Sequence, residues 1–379
     1  MAKRGQGEGS ISQRKDGVWQ AAVSVGDGKR QYFYGKTRRE VAEKLKVALR
    51  DQQQGLLIVG PDVAFDRFLE RWLQDSVKPS VRPKTYESYA RQVRVHIAPA
   101  LGGLKLTKLA AADLQRFYRA MLDAGLAPGT VNRQHAIIHR ALAQATRWGL
   151  VARNVADLVD PPRPEHKEMQ PLTPSQVGEF LRAARDDRFF ALYVLAIATG
   201  MRQSELLGLT WRDVNEADAL VYVRQQLIYT PGAGFSFSEP KTAKGRRAIA
   251  LPGMVVEALR AHRVNQESEK ILVGEAWEEN GLVFPNEVGR PIERGNLVRR
   301  SFLPLLDRAG LPRIRFHDLR HTAATLLLSE GAHPKVVQER LGHSTIGVTL
   351  DVYSHVLPHM QREAAAKLDR LLGSGPGLL

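Results

Sequence analysis

The chain contains no cysteine. Disulfide bridges, thiolate nucleophiles and cysteine-bound zinc are excluded with it, and the absence fits a reducing cytosol. Long apolar runs are missing too: none approaches the roughly 20 residues that a membrane-spanning helix needs. The opening residues, Met1-Ala2-Lys3-Arg4-Gly5, are basic but lack the apolar stretch of a secretory signal. Negative charge is in deficit. Asp and Glu number 40 against 55 Lys and Arg, which leaves a net charge of +15. That excess favours a polyanionic partner, DNA or RNA first. Charge alone fits equally a basic soluble protein without such a partner. The expectation is a soluble cytoplasmic chain with no membrane partner.

At about 100–200 residues per domain, 379 residues make two or three domains. A hydrophobic content of 43% gives each a core to bury. Residues 1–60 read as a module of their own. Val18 to Val25 and Gln31 to Tyr34 are strand-like, with Asp16-Gly17 and Gly26-Asp27-Gly28 as turn signals. Ile11 to Arg14 adds a short first strand, and Thr37 caps a helix from Arg38 to Gln53. Arg14, Lys15, Lys29 and Arg30 make this sheet a candidate DNA-binding surface, since a β-ribbon fits the major groove. A solvated sheet face carries the same charges.

Residues 61–160 read as all helix, with apolar stripes through Phe65, Phe68 and Trp72 and through Ile137, Ile138 and Leu142. Arg91, Arg94, Arg133 and Arg140 decorate these helices, as solvated charges or as phosphate contacts. The proline cluster Asp160-Pro161-Pro162-Arg163-Pro164 opens a linker over residues 161–171. A mixed helix and strand domain then fills residues 172–379, with strands at 220–223 and 247–251 joined by a loop that contains Pro231-Gly232 and Lys241. Its last expected element is a helix from Gln361 to Leu372, which packs on its own domain or on a neighbouring copy.

Four segments of this third domain carry chemistry. In Thr199-Gly200-Met201-Arg202, Gly200 ends one helix and Arg202 begins the next, where a guanidinium and a positive helix end favour an anion. Glu205 lies on the same face and can hold a neighbouring side chain. His317 and Arg320 share a helical face in His317-Asp318-Leu319-Arg320-His321-Thr322. His317 and His321 have the spacing of a zinc pair, but no Glu completes a metalloprotease pattern, so phosphate binding is favoured over metal. His343 sits at a bend in Leu341-Gly342-His343-Ser344, after a helix opened by Pro334. Tyr353 follows ten residues later. Taken singly, each segment has an ordinary structural explanation.

Together, in this order, they resemble the tyrosine recombinase or phage integrase family. The pieces are Thr-Gly-Met-Arg at 199–202, Pro-Lys-Thr at 240–242, His-Asp-Leu-Arg-His-Thr at 317–322, Leu-Gly-His-Ser at 341–344, and Tyr353. The resemblance implies a multidomain fold. A small β-sheet plus helix module would bind arm sites, an all-α SAM-like domain would bind core sites, and a mixed α/β, mainly α, domain would be catalytic. It implies Arg202, Lys241, His317, Arg320, His343 and Tyr353 as catalytic residues, with Glu205 as support and Lys244 as a rival to Lys241. Tyr353 would attack a DNA phosphate, leaving a 3′-phosphotyrosine bond and a free 5′-hydroxyl. A tyrosine with a pKa near 10 is ionised about once in a thousand at pH 7, a deficit of about 4 kcal/mol. A base such as His317 and a cationic site must offset it. No cofactor and no metal are required. The implied partners are double-stranded DNA at core and arm attachment sites, a homo-tetramer with a Holliday junction, and accessory DNA-bending or excision factors. The implied setting is a bacterial host cell, at the nucleoid, in the service of a phage or other mobile element. The alternatives are a chromosome- or plasmid-resolving recombinase of the same family, and a DNA-binding protein without catalysis.

Overall fold

Turn residues on both sides of an alternating segment fold the N-terminal region into a meander. Strands β1 (Ser10–Gln13), β2 (Trp19–Ser24) and β3 (Arg30–Gly35) pair antiparallel in the order β1-β2-β3. The register places Ala21 opposite Phe33 and Ala22 opposite Tyr32. Alternation then sends Ala21, Val23 and Phe33 inward onto helix α1 (Arg38–Gln53), against Val41, Leu45 and Ala48. It leaves Tyr32 and Tyr34 exposed on the other face. Thr37 caps α1 by accepting the Glu40 amide at 3.2 Å, while the Glu40 carboxylate accepts the Lys36 amide at 3.0 Å.

The computed structural model describes residues 9–24, 30–53, 63–164, 170–230, 232, 234–240, 243–353, 365–366 and 368–370, without the side chains of 51–53, 243, 348 and 351–353. The chain divides into two compact units, Met1–Lys167 and Glu168–Leu379. Lys29, Lys241 and most of the helix expected from Gln361 to Leu372 lie outside the described residues.

The rest of the first unit is helical, as its apolar stripes predict. Helices α2 (Phe65–Trp72), α3 (Pro83–Gln92), α4 (Ala98–Leu101), α5 (Ala111–Asp123) and α6 (Pro128–Arg147) enclose Phe65, Phe68, Trp72, Ile97 and Leu114. Single π-helical turns, Leu73–Val77 and Val93–Ile97, extend α2 and α3. This core is separate from the one under the sheet.

In the second unit, Thr173 and Gln176 form a reciprocal capping box and Pro174 takes the first position of α7 (Pro174–Ala183). Helix α8 (Phe190–Thr199) is buried on nearly every side and ends at Gly200, whose φ of +64° suits glycine. After α9 (Gln203–Leu207) come β4 (Val214–Asn215), β5 (Leu220–Val223), β6 (Gln226–Thr230), β7 (Gly234–Ser238) and β8 (Arg247–Ala250). One antiparallel sheet has the order β4-β5-β8, and β6 and β7 make a separate hairpin. The segment between 223 and 247 is thus not the plain loop expected from sequence. Its ladder pairs Tyr229 with Phe235 and leaves both exposed, and Leu227 at its base is buried but alone too short a signal to advertise the strands. Helices α10 (Gly253–Val273), α11 (Arg294–Leu297), α12 (Leu303–Arg308), α13 (Asp318–Ser329), α14 (Pro334–Leu341) and α15 (Ile346–Tyr353) complete the unit. At its centre Phe180 meets Tyr193 and Phe302 edge to face, and Phe302 packs at a tilt against Phe316.

Candidate active site

Arg320 ties the site together. It is 3% exposed, and its guanidinium donates to the carbonyl of Gly200 at 2.8 Å and to that of Leu341 at 2.8 Å. One side chain on α13 therefore binds the end of α8 and the end of α14. These are the two bends from which Arg202 and His343 emerge. Gly200 is required there for space as well as for φ: a Cβ would sit 2.4 Å from the Leu341 side chain.

Arg202 is the N-cap residue of α9 and is 38% exposed at its side chain. Glu205, one turn on and 2% exposed, accepts from the Arg202 amide at 2.9 Å and from its Nη1 at 2.7 Å. Burial pulls the Glu205 pKa up, but Arg247 and then Arg202 outweigh it and hold the carboxyl below its ordinary value. Arg247, on β8, had no role among the residues expected from sequence. Its side chain is 6% exposed. It donates to the Glu205 carboxylate at 3.0 Å, to the carbonyl of Arg340 at 2.6 Å and to that of Gly245 at 3.0 Å. Only its position in a strand was visible in the sequence, because the Glu205 it meets is 42 residues away.

His317 is the N-cap of α13, fixed by Asp318, which accepts from the Arg315 amide at 2.8 Å and from its Nη2 at 2.7 Å. The ring stands edge-on to His321, with centroids 5.1 Å apart. Although the side chain is exposed, the crowded surface strips water from the ring. That loss, and then Arg320, keep its pKa below the ordinary value against the opposing pull of Asp318. His321 is lowered to about 4, by burial first and by His317 next. Among the described residues no group of three or more His, Asp or Glu is placed to hold a metal ion.

His343 follows the left-handed Gly342, φ +69°, that closes α14. Its main chain is pinned by Gln338, which accepts the His343 amide at 3.1 Å and donates from its side chain to the His343 carbonyl at 2.6 Å. Its Nδ1 lies 2.9 Å from the Thr349 hydroxyl. Burial, then Arg320 and Arg202, hold its pKa down at about 4, so the ring is neutral at pH 7. Lys244 donates to the carbonyl of Ser344 at 2.8 Å, which anchors the β7–β8 connection beside His343. Tyr353 is the last residue of α15; its backbone is described and its side chain is not.

The arginines and lysines singled out for DNA are dispersed. Arg14 lies over Tyr34 at 5.7 Å and pairs with Asp16, Arg94 pairs with Glu70 at 3.1 Å, and Arg140 donates to Tyr89 at 3.2 Å. Lys15, Arg30, Arg91 and Arg133 are exposed.

Two family comparisons match this layout. Residues 170–360 match the phage integrase family, and residues 64–122 match the phage integrase N-terminal SAM-like domain. A tyrosine recombinase XerC-like protein of Caldanaerobacter subterraneus subsp. tengcongensis is 31% identical over 376 residues, covering 93% of this chain and 96% of its own. An integrase of Streptomyces ambofaciens is 31% identical, covering 99% of this chain and all of its own. Among solved structures, the Tn1549 transposon integrase in complex with a circular intermediate DNA superposes with a TM-score of 0.68 at 24% identity, over 81% of this chain and 99% of that one. A lambda integrase tetramer bound to a Holliday junction gives a TM-score of 0.58 at 18% identity, over 90% of this chain and 94% of that one. The structural likenesses speak for the fold, and the sequence matches, which run from end to end, speak for descent: the chain belongs to the phage integrase family of tyrosine recombinases.

Proposed function

We propose that this recombinase integrates a phage or other mobile element by cutting and rejoining DNA at Tyr353. The observation that carries the reading is the gathering of three arginines at the bends that present Arg202 and His343: Arg320 binds the carbonyls of Gly200 and Leu341, and Arg202 and Arg247 share the Glu205 carboxylate. Fixed cations of this kind gain most when a phosphate oxygen takes on charge during attack. Arg202 offers an exposed guanidinium to one nonbridging oxygen, and Glu205 and Arg247 hold it in place. Arg320 contributes its positive charge, from a guanidinium held in place by the carbonyls of Gly200 and Leu341. His317, with its pKa below the ordinary value, is neutral at pH 7 and free to accept the phenol proton. His343, also neutral, donates an N–H. Lys241 protonates the departing 5′-oxygen, while Lys244 tethers the same connection to Ser344. The phosphotyrosine conserves the bond energy, and a 5′-hydroxyl from another strand reverses the attack.

The remaining parts follow the same reading. Residues 1–60 bind arm sites, residues 61–160 bind core sites, residues 161–171 link, and residues 172–379 react; the separate cores of the sheet and helical parts support the first division. Four copies act on two duplexes through a Holliday junction, with accessory bending or excision factors, at the nucleoid in the cytoplasm. No helix among the described residues is long and apolar enough to cross a membrane.

A nicked duplex bearing the core site tests the reaction. Wild-type protein should form a covalent adduct in chelator, and Tyr353→Phe should bind the same duplex and form none. An adduct with Tyr353→Phe assigns the nucleophile elsewhere. Salt-sensitive binding with no adduct from wild type means a DNA-binding protein without catalysis.

A further inference from the structure

The hydroxyl of Thr349 lies wholly buried, with 0% of the residue exposed, and 2.9 Å from Nδ1 of His343. A threonine within a helix commonly returns its hydroxyl to the carbonyl one turn back. This one reaches six residues back, out of α15, to an imidazole. We propose that Thr349 is a positioning residue: it donates to Nδ1 of His343, fixes the Nε2–H tautomer, and links the helix that ends at Tyr353 to the phosphate site.

Bond counting selects the direction of the hydrogen bond. A hydroxyl has one donor and two acceptor positions. If Nδ1 carried the proton, the Thr349 hydrogen would have no acceptor among the described residues, and a buried orphan donor is costly. If Thr349 donates instead, that hydrogen is satisfied and the ring proton moves to Nε2. The outcome suits the role given to His343 above, on which the functional half of this inference rests. A neutral imidazole can meet a phosphate oxygen only with an N–H, and Nε2 is the nitrogen left over. The main chain of His343 is already fixed by Gln338, so ring rotation is the freedom that remains for Thr349 to remove. Tyr353 lies four residues beyond Thr349, about 6 Å along a helix. Displacing that helix therefore disturbs the histidine and the nucleophile together.

Nitrogen-15 NMR of histidine-labelled, DNA-free protein reads the tautomer directly, without reference to catalysis. Wild type and Thr349→Ser should show Nε2 protonated and Nδ1 unprotonated at His343, assigned by its loss in His343→Ala. Thr349→Val, close in shape but without the hydroxyl, should give a mixture of tautomers. Its adduct formation on the nicked duplex should fall about 10- to 100-fold, the effect of one misplaced hydrogen bond to a charged group, with DNA binding unchanged; Thr349→Ser should restore the rate. Should Thr349→Val fail to fold, Thr349→Ser and the wild-type tautomer still decide. A wild-type Nδ1–H tautomer overturns the proposal, as does full cleavage by folded Thr349→Val. Normal cleavage by His343→Ala overturns instead the role given to His343, and the tautomer measurement then judges Thr349 alone.

Discussion

A carboxylate 2% exposed is tolerable at Glu205 because Arg247 and Arg202 face it from two sides. Removing Arg247, whose side chain is 6% exposed, would leave a buried charge half-compensated, a change in the range of about 3–5 kcal/mol for buried pairs. The half-exposed Arg202 is screened by solvent, and its removal should cost less. The histidines work the opposite way: burial first, and then neighbouring positive groups, make their charged forms unwelcome. His321 is held near 4 by burial and His317, with Arg315 and Arg320 adding and Asp318 opposing. His343 is held near 4 by burial, Arg320, Arg202, His321 and Arg247. An unfolded histidine titrates near 6.5. Between about 6.5 and 4 the unfolded chain therefore binds protons that the folded chain refuses. Their contribution to stability is complete above that window and is lost as pH falls through it. Glu205 and Asp318, both held low, add losses of the same sign at lower pH. The urea midpoint of the second unit should drop between pH 7 and pH 5. Replacing His321 and His343 by Asn should flatten that drop, and an unchanged slope in the double variant would show that other groups cause it.

At the scale of elements, the bends matter more than the helices they join. Gly342 combines a φ of +69° with a close approach: a Cβ there would lie 3.0 Å from the Lys244 carbonyl oxygen and 3.1 Å from Arg247 Nη1. Gly331 has a similar φ of +79° and open space around it. Gly331→Ala should therefore show backbone strain alone, about 1 kcal/mol or somewhat more. Gly342→Ala should lose more stability than that and also slow adduct formation, because the clash displaces the strand end that holds Glu205. Equal effects of the two substitutions on urea midpoint and cleavage would refute this account. The bends were legible in the sequence because glycine, proline and threonine announce them: Thr173-Pro174, Gly200 and Gly342 all act as their residue types predict. The order of the charged motifs was legible for the same local reason. What escaped was non-local. The β6–β7 hairpin has exposed Tyr229, Phe235 and Phe237 where a strand signal needs an inward face. Arg247 meets Glu205 across 42 residues, and Thr349 has nothing beside it in sequence to mark its hydroxyl as a partner of His343.

Across the whole molecule, charge and reaction chemistry are distributed differently. Residues 1–60 carry 12 of the 55 Lys and Arg and six of the 40 Asp and Glu, so they supply about two-fifths of the net +15. None of the residues assigned to the reaction lies among them. Their small core, Ala21, Val23, Val41, Leu45 and Ala48, is separate from the helical core that begins at Phe65. Removing residues 1–60 should therefore leave the second core and the active site intact. Affinity for DNA falls with salt in proportion to the phosphates neutralised, with a logarithmic slope of roughly −0.9 for each one. The shortened chain should bind long attachment-site DNA with a shallower salt slope, by roughly one for each phosphate that the first module neutralises. It should still form the covalent adduct on a short core duplex at an undiminished rate. An unchanged salt slope would place the first module away from DNA. Failure to form the adduct on the short duplex would mean that the module takes part in cleavage itself, and the separation of binding from chemistry along this chain would fail.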